Sequence, residues 1–155
     1  MRKMLLAAFL MCTVALLSTL SVPGASTSPK SPLRCEVVIQ LNEGTESPYT
    51  WFLTVSGDIE GTGGITFINA SFPGITEHYS ELWHIDTDNG MIEAYQKGVW
   101  SFKSWKFKSN GYVTVATGDW EYLLGSEMHV RGVTTDPNVL PLTGTGIMWI
   151  CGFGP

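Results

Sequence analysis

The folded part of this chain is expected to be all-β, a single antiparallel barrel of about eight strands, with a two-sheet sandwich as the second choice. Three observations carry that expectation. From about residue 33 onward, apolar and polar residues alternate with the two-residue period of a strand that has one wet and one dry face. The seventeen glycines fall at breaks between these segments, or inside strands that a closing sheet must bend. Two cysteines, Cys35 and Cys151, lie in the first and last of the segments, which become neighbours when a sheet closes on itself.

The first quarter of the sequence reads differently. Met1-Arg2-Lys3 is basic, residues 4–20 carry no charge, and Ser21-Val22-Pro23-Gly24-Ala25-Ser26 is small and helix-breaking. That is the layout of a secretory signal peptide, assigned to residues 1–25; the alternative is an uncleaved anchor, since the apolar run sits at the lower edge of spanning length. Residues 26–32 are polar and proline-punctuated and read as a flexible leader, leaving 33–155 as the barrel domain. The expected location is secreted, or in the cell envelope.

Loss of Arg2 and Lys3 with the signal peptide leaves seven basic residues against fourteen acidic ones, a net charge of −7. So acidic a domain is a poor general nucleic-acid binder. In an oxidising compartment the default for Cys35 and Cys151 is a disulfide. Closing so long a loop would contribute about 4–5 kcal/mol on the chain-entropy account. Two buried free thiols are the alternative.

In chain order, residues 34–41 form the first strand and 49–59 the second, with Trp51, Leu53 and Val55 on one face. Gly61-Thr62-Gly63-Gly64 is expected to turn, followed by a strand over 65–70. Phe72-Pro73-Gly74 is a break. Residues 78–86 alternate Tyr79, Glu81, Trp83 and Ile85 against His78, Ser80, Leu82 and His84. Asp88-Asn89-Gly90 is a hairpin turn, and Asn110-Gly111 is expected to be another. Between them lie strands over 91–102 and 105–108. Two amphipathic strands follow within 111–132, joined through Leu123-Leu124-Gly125-Ser126, and the last strand spans 143–151. No helical periodicity appears after the leader.

A glycine-rich meander ending in Leu142-Thr143-Gly144-Thr145-Gly146-Ile147-Met148 resembles the small barrels of the allene oxide cyclase, dirigent and lipocalin type. The resemblance implies a barrel with a ligand-sized interior. It brings no catalytic residue across, because none of those families' residues has a counterpart at a defined position.

The most unusual stretch is residues 97–108, where Lys97, Lys103, Lys106 and Lys108 interleave with Trp100, Phe102, Trp105 and Phe107. Trp100 and Phe102 share one strand phase and Trp105 and Phe107 the other, so a bend near Ser104 is expected. Lysines beside flat rings suit an anionic or sugar ligand, a lipid headgroup or a nucleic-acid strand. The competing reading is that the aromatics fill the core while the lysines are solvated. Trp83, Trp100, Lys103, Trp105 and Lys106 are the candidate ligand-binding residues. His84 and Glu81 are the candidate acid–base residues, His84 lying two positions from Asp86 on one strand face. His78 is too far along the same strand to share a metal with His84, and no other spacing points to a metal or cofactor. Glu127, His129 and Arg131 share a face that the alternating Met128 and Val130 assign to water. Asn69-Ala70-Ser71 is a glycosylation sequon, of use only in a glycosylating host. No Gly-x-Ser-x-Gly, P-loop, His-Glu-x-x-His or Cys-x-x-Cys motif is present.

The first functional expectation is a barrel that binds a small apolar or amphipathic ligand in its mouth. An isomerase- or cyclase-type barrel enzyme is the second. A non-enzymatic protein that contacts a polysaccharide or a membrane through residues 97–108 is the third.

Overall fold

The computed structural model describes residues 31–44, 47–136, 138 and 140–152; the expected signal peptide and the leader up to residue 30 lie outside the described residues. Eight strands follow one another around a closed antiparallel barrel: β1 (Leu33–Leu41), β2 (Trp51–Gly57), β3 (Gly61–Ser71), β4 (Thr76–Thr87), β5 (Gly90–Ser101), β6 (Lys106–Ala116), β7 (Glu127–Thr134) and β8 (Thr143–Cys151). Each pairs with its sequence neighbour. β1 and β8 complete the circle, from Leu33 opposite Ile150 to Gln40 opposite Thr143. The all-β barrel is therefore the fold.

The alternation that predicts the strands also sorts their side chains. Cys35, Val37 and Ile39 point inward from β1, Trp51, Leu53 and Val55 from β2, and Met148 and Ile150 from β8; all are buried. Arg34, Glu36, Val38 and Gln40 on the other phase of β1 meet water. Burying a whole inner face of aliphatic and aromatic side chains is the main stabilising term, at about 1.5–3 kcal/mol per large side chain.

The two ends of the barrel differ. At one end the β2–β3 connection turns Ile59 inward, and a 3₁₀ helix, Gly118–Leu123, folds across the opening and inserts a fully buried Leu123. The helix is tied to the β4–β5 hairpin by an N–H of Asp119 donating to the Asn89 carbonyl (2.9 Å) and by Trp120 Nε1 donating to Thr87 Oγ1 (2.8 Å). The other end, where β1 leads into β2, β3 into β4, β5 into β6 and β7 into β8, is the mouth.

Three sequence expectations need correction. Gly61 to Gly64 do not turn but open β3; the missing side chains of Gly61 and Gly63 let its backbone lie close to β4, and that of Gly64 makes room for the Tyr49 ring. Asn110-Gly111 is not a hairpin: it lies inside a continuous β6. There a Cβ on Gly111 would collide with the Tyr95 carbonyl, so glycine permits close strand approach, a signal that in sequence looks the same as a turn. The third correction is the disulfide. Cys35 and Cys151 are free thiols, although their strands are indeed neighbours. Cys35 lies opposite Met148, three residues short of Cys151, which puts the two about 10 Å apart along the strands. Cys35 is also buried inside, while Cys151 is on the outward phase with Trp149. That separation exceeds the ~7 Å Cα limit for a bridge.

Charge is distributed unevenly along the barrel axis. Asp58, Glu60, Asp86, Asp88, Asp119, Glu121 and Glu127 are all exposed around the capped end. Five of the six described lysines and arginines, Lys97, Lys103, Lys106, Lys108 and Arg131, lie instead on the outer wall of β5–β7 or at the mouth.

Candidate functional site

Inside the mouth, ten side chains from seven strands surround a small cavity: Ile39, Trp51, Ile65, Phe67, Tyr79, Glu81, Trp83, Trp100, Phe107 and Thr134. Its volume is about 30 Å³, room for about one water molecule. Small-molecule chambers are typically ~300–1,000 Å³. The ligand-sized interior that the barrel resemblance implies is not there, because aromatic rings fill it.

Glu81 is the chemically distinctive group in this wall. Its strand phase forces the carboxyl inward, 4% exposed, where Trp83 Nε1 donates a hydrogen bond to its Oε1 at 2.6 Å. Burial raises its pKa to about 8; the Trp83 hydrogen bond pulls the other way, and the neighbouring Glu77 charge adds to the rise. Glu77, also 4% exposed, is raised by burial as well. Tyr79 lies between the two acids, stacked on Phe67 with ring centroids 5.6 Å apart, and its ring occupies the place of the side chain that Gly98 lacks. Burial, then Glu81 and Glu77, keep the phenol protonated. Glu81 is thus a neutral acid at neutral pH, able to donate a hydrogen bond from an apolar wall.

Trp100 connects this interior to the rim. It meets Trp51 edge-on at 6.2 Å inside and Phe102 at 5.1 Å outside, with Trp105 a further 6.5 Å from both Trp100 and Phe102. Its Nε1 is buried and finds no acceptor among the described residues. The expected bend near Ser104 is a tight turn over residues 102–104. It leaves Trp105 at φ 56°, a left-handed conformation that bulky residues rarely adopt. The turn is held by Trp105 N–H donating to the Ser101 carbonyl and by Thr134 N–H donating to the Trp105 carbonyl, both at 2.8 Å. Beyond them Phe72 (63% exposed), Ile75 (59%) and Leu140 (68%) give the mouth an apolar rim, with Phe72 stacked on Phe102 at 6.2 Å.

The structure divides the residues singled out in the sequence. Trp83 and Trp100 line the cavity and Trp105 flanks it, whereas Lys103 and Lys106 are exposed outside it. His84 and Glu81 are on opposite faces of β4 and do not act together. His84 lies outside, with Nδ1 3.1 Å from Glu93 and Nε2 3.1 Å from Asp86, and the Tyr49 ring stacks on it at 6.0 Å. Both ring nitrogens face carboxylates on the outer wall of the barrel. Glu127 and Arg131 face water as expected, and the Arg131 guanidinium lies 4.5 Å over the Trp149 ring. Asn69 is exposed. Sequence reasoning missed Glu77, Tyr79, Phe67 and Trp51 as parts of one site. Glu77 was legible, since it shares the phase of Glu81, but it lies one residue before the strand boundary that the sequence suggested.

Comparison with protein-family models, with curated proteins and with solved structures finds no match to this chain. Function is therefore argued from the site alone.

Proposed function

We propose that this chain is an exported binding barrel that holds a small amphipathic molecule at its aromatic mouth. The observation that carries this reading is the convergence of aromatic walls on one buried, neutral acid at the uncapped end of the barrel. An apolar wall with few polar groups and a strongly shifted carboxyl is the usual signature of a binding site. The filled interior limits what such a ligand buries. Only a compact polar head reaches toward Glu81 and Trp100 Nε1, while its apolar body lies on Phe102, Trp105 and Phe72. A hydroxyl or carbonyl head suits the two donors, the protonated Glu81 carboxyl and the indole N–H.

Acid–base catalysis on such a ligand is the second reading, favoured by the same shift of Glu81 to about 8, close to where a general acid works best. The test for both is native mass spectrometry of protein taken from its secreting host, followed by tryptophan-fluorescence titration with the ligand recovered. A retained small molecule whose affinity drops about tenfold or more in Trp100→Ala supports the seat. In Glu81→Gln, turnover that vanishes while binding survives supports catalysis. A chain that carries nothing from its host, and whose fluorescence no extract fraction shifts, rejects both readings.

A further inference from the structure

We infer that the mouth of the barrel docks on a lipid bilayer carrying anionic headgroups, with the rim inserted and the β5–β7 wall against the headgroups. This rests on features outside the cavity and stands whether or not a ligand is held there. Phe72 and Ile75 on the β3–β4 connection and Leu140 on the β7–β8 connection project from one end of the barrel, backed by Phe102 and Trp105. Phe72, Ile75 and Leu140 are the three most exposed large apolar side chains among the described residues, with Leu124 at the capped end next. A rim that gathers them beside a partly exposed tryptophan matches the boundary between headgroups and acyl chains.

Charge identifies the surface they meet. Lys103 sits at the rim, and Lys106, Lys108 and Arg131 descend from it along the wall. Among the described residues none of these four has a carboxylate within ion-pair distance. Lys108 and Arg131 are direct cross-strand partners, a like-charge pairing that costs stability unless an anion lies across it. Seven exposed carboxylates ring the opposite, capped end, against Glu43 and Asp136 in the loops at the mouth, so the chain's charge is polarised along its axis and an anionic bilayer would orient it mouth-first. A soluble polyanion would satisfy the lysines but leave the apolar rim in water.

The test is co-sedimentation of the purified chain with vesicles of phosphatidylcholine alone and of equal parts phosphatidylcholine and phosphatidylserine. Binding is expected only to the second, and it should weaken as salt rises. Lys106→Gln with Lys108→Gln should lower affinity about 25-fold, at about fivefold per lysine. Phe72→Ser with Ile75→Ser should lower it about tenfold or more. All four side chains are exposed, so unchanged circular dichroism is expected and is checked first. Equal binding to both vesicles, or no binding to either, overturns the proposal. So does loss with the lysine variant but not with the rim variant, which would mark a soluble polyanion as the occupant.

Discussion

Glu81 shows how one residue can set a property of the whole chain. Its ordinary carboxyl value is 4.5 and its folded value about 8. Between those limits the unfolded chain has released this proton while the folded one still holds it. Stability is therefore full below about pH 4.5, falls as pH rises toward about 8, and levels off above it. The integrated loss is roughly 3–5 kcal/mol. Glu77 is raised by burial too and contributes with the same sign. Glutamine keeps an oxygen for Trp83 Nε1 and cannot ionise. Glu81→Gln should therefore leave stability near pH 5 almost unchanged and raise it by a few kcal/mol at pH 8 to 9. Urea unfolding at a series of pH values reads this directly, and parallel pH profiles for the two proteins would mean that Glu81 is ionised in the fold.

At the scale of elements, what closes the barrel's far end is a short helix that no periodicity announced. The 3₁₀ segment Gly118–Leu123 is about two turns of mixed polarity, and only Leu123 on it is buried. Its sequence therefore reads as loop, and its position is set by hydrogen bonds to residues about thirty positions earlier. Leu123→Ala should cost about 2–5 kcal/mol, the range for a fully buried leucine. Gly111→Ala should cost roughly 2–4 kcal/mol, because the added methyl meets the Tyr95 carbonyl, which the β5–β6 ladder holds in place. Urea denaturation measures both, and a Gly111→Ala variant as stable as the parent would restore the turn reading of Asn110-Gly111. These elements also mark what was legible in the sequence. The bounds of β8 were readable to the residue but its inner face was not, because residues 147–151 are all apolar and only Met148 and Ile150 of them are buried. β1, where period and burial coincide, showed its inner face directly. Glycines that serve close approach were not legible, since a turn and a tight crossing use the same residue. The mouth was half legible: Trp83, Trp100 and Glu81 stood out, but which of their neighbours shared the cavity depended on register across strands far apart in sequence.

For the whole molecule, the question is what holds the circle shut. The cysteines pointed to the right pair of strands for the wrong reason: β1 and β8 meet through eight ladder positions, with no covalent bridge. A reductant should therefore leave the melting temperature unmoved. The same pairing places Leu33 opposite Ile150, so the two ends of the described barrel lie side by side at the capped end. A short glycine–serine linker can join them without strain, and new ends can be opened at the exposed Asp88-Asn89 turn. This permuted chain should fold to the same barrel with a single cooperative transition, its mouth unchanged because linker and cut are both at the other end. Opening the chain within residues 102–104 instead should free Trp105 from its left-handed turn and weaken the contacts of Trp100 and Phe102. Near-ultraviolet circular dichroism separates the cases: the first permutant should keep the aromatic spectrum of the parent and the second should lose part of it. If instead the first permutant fails to fold while the second folds fully, β1–β8 pairing is not what closes the barrel, and the aromatic turn is not what shapes its mouth.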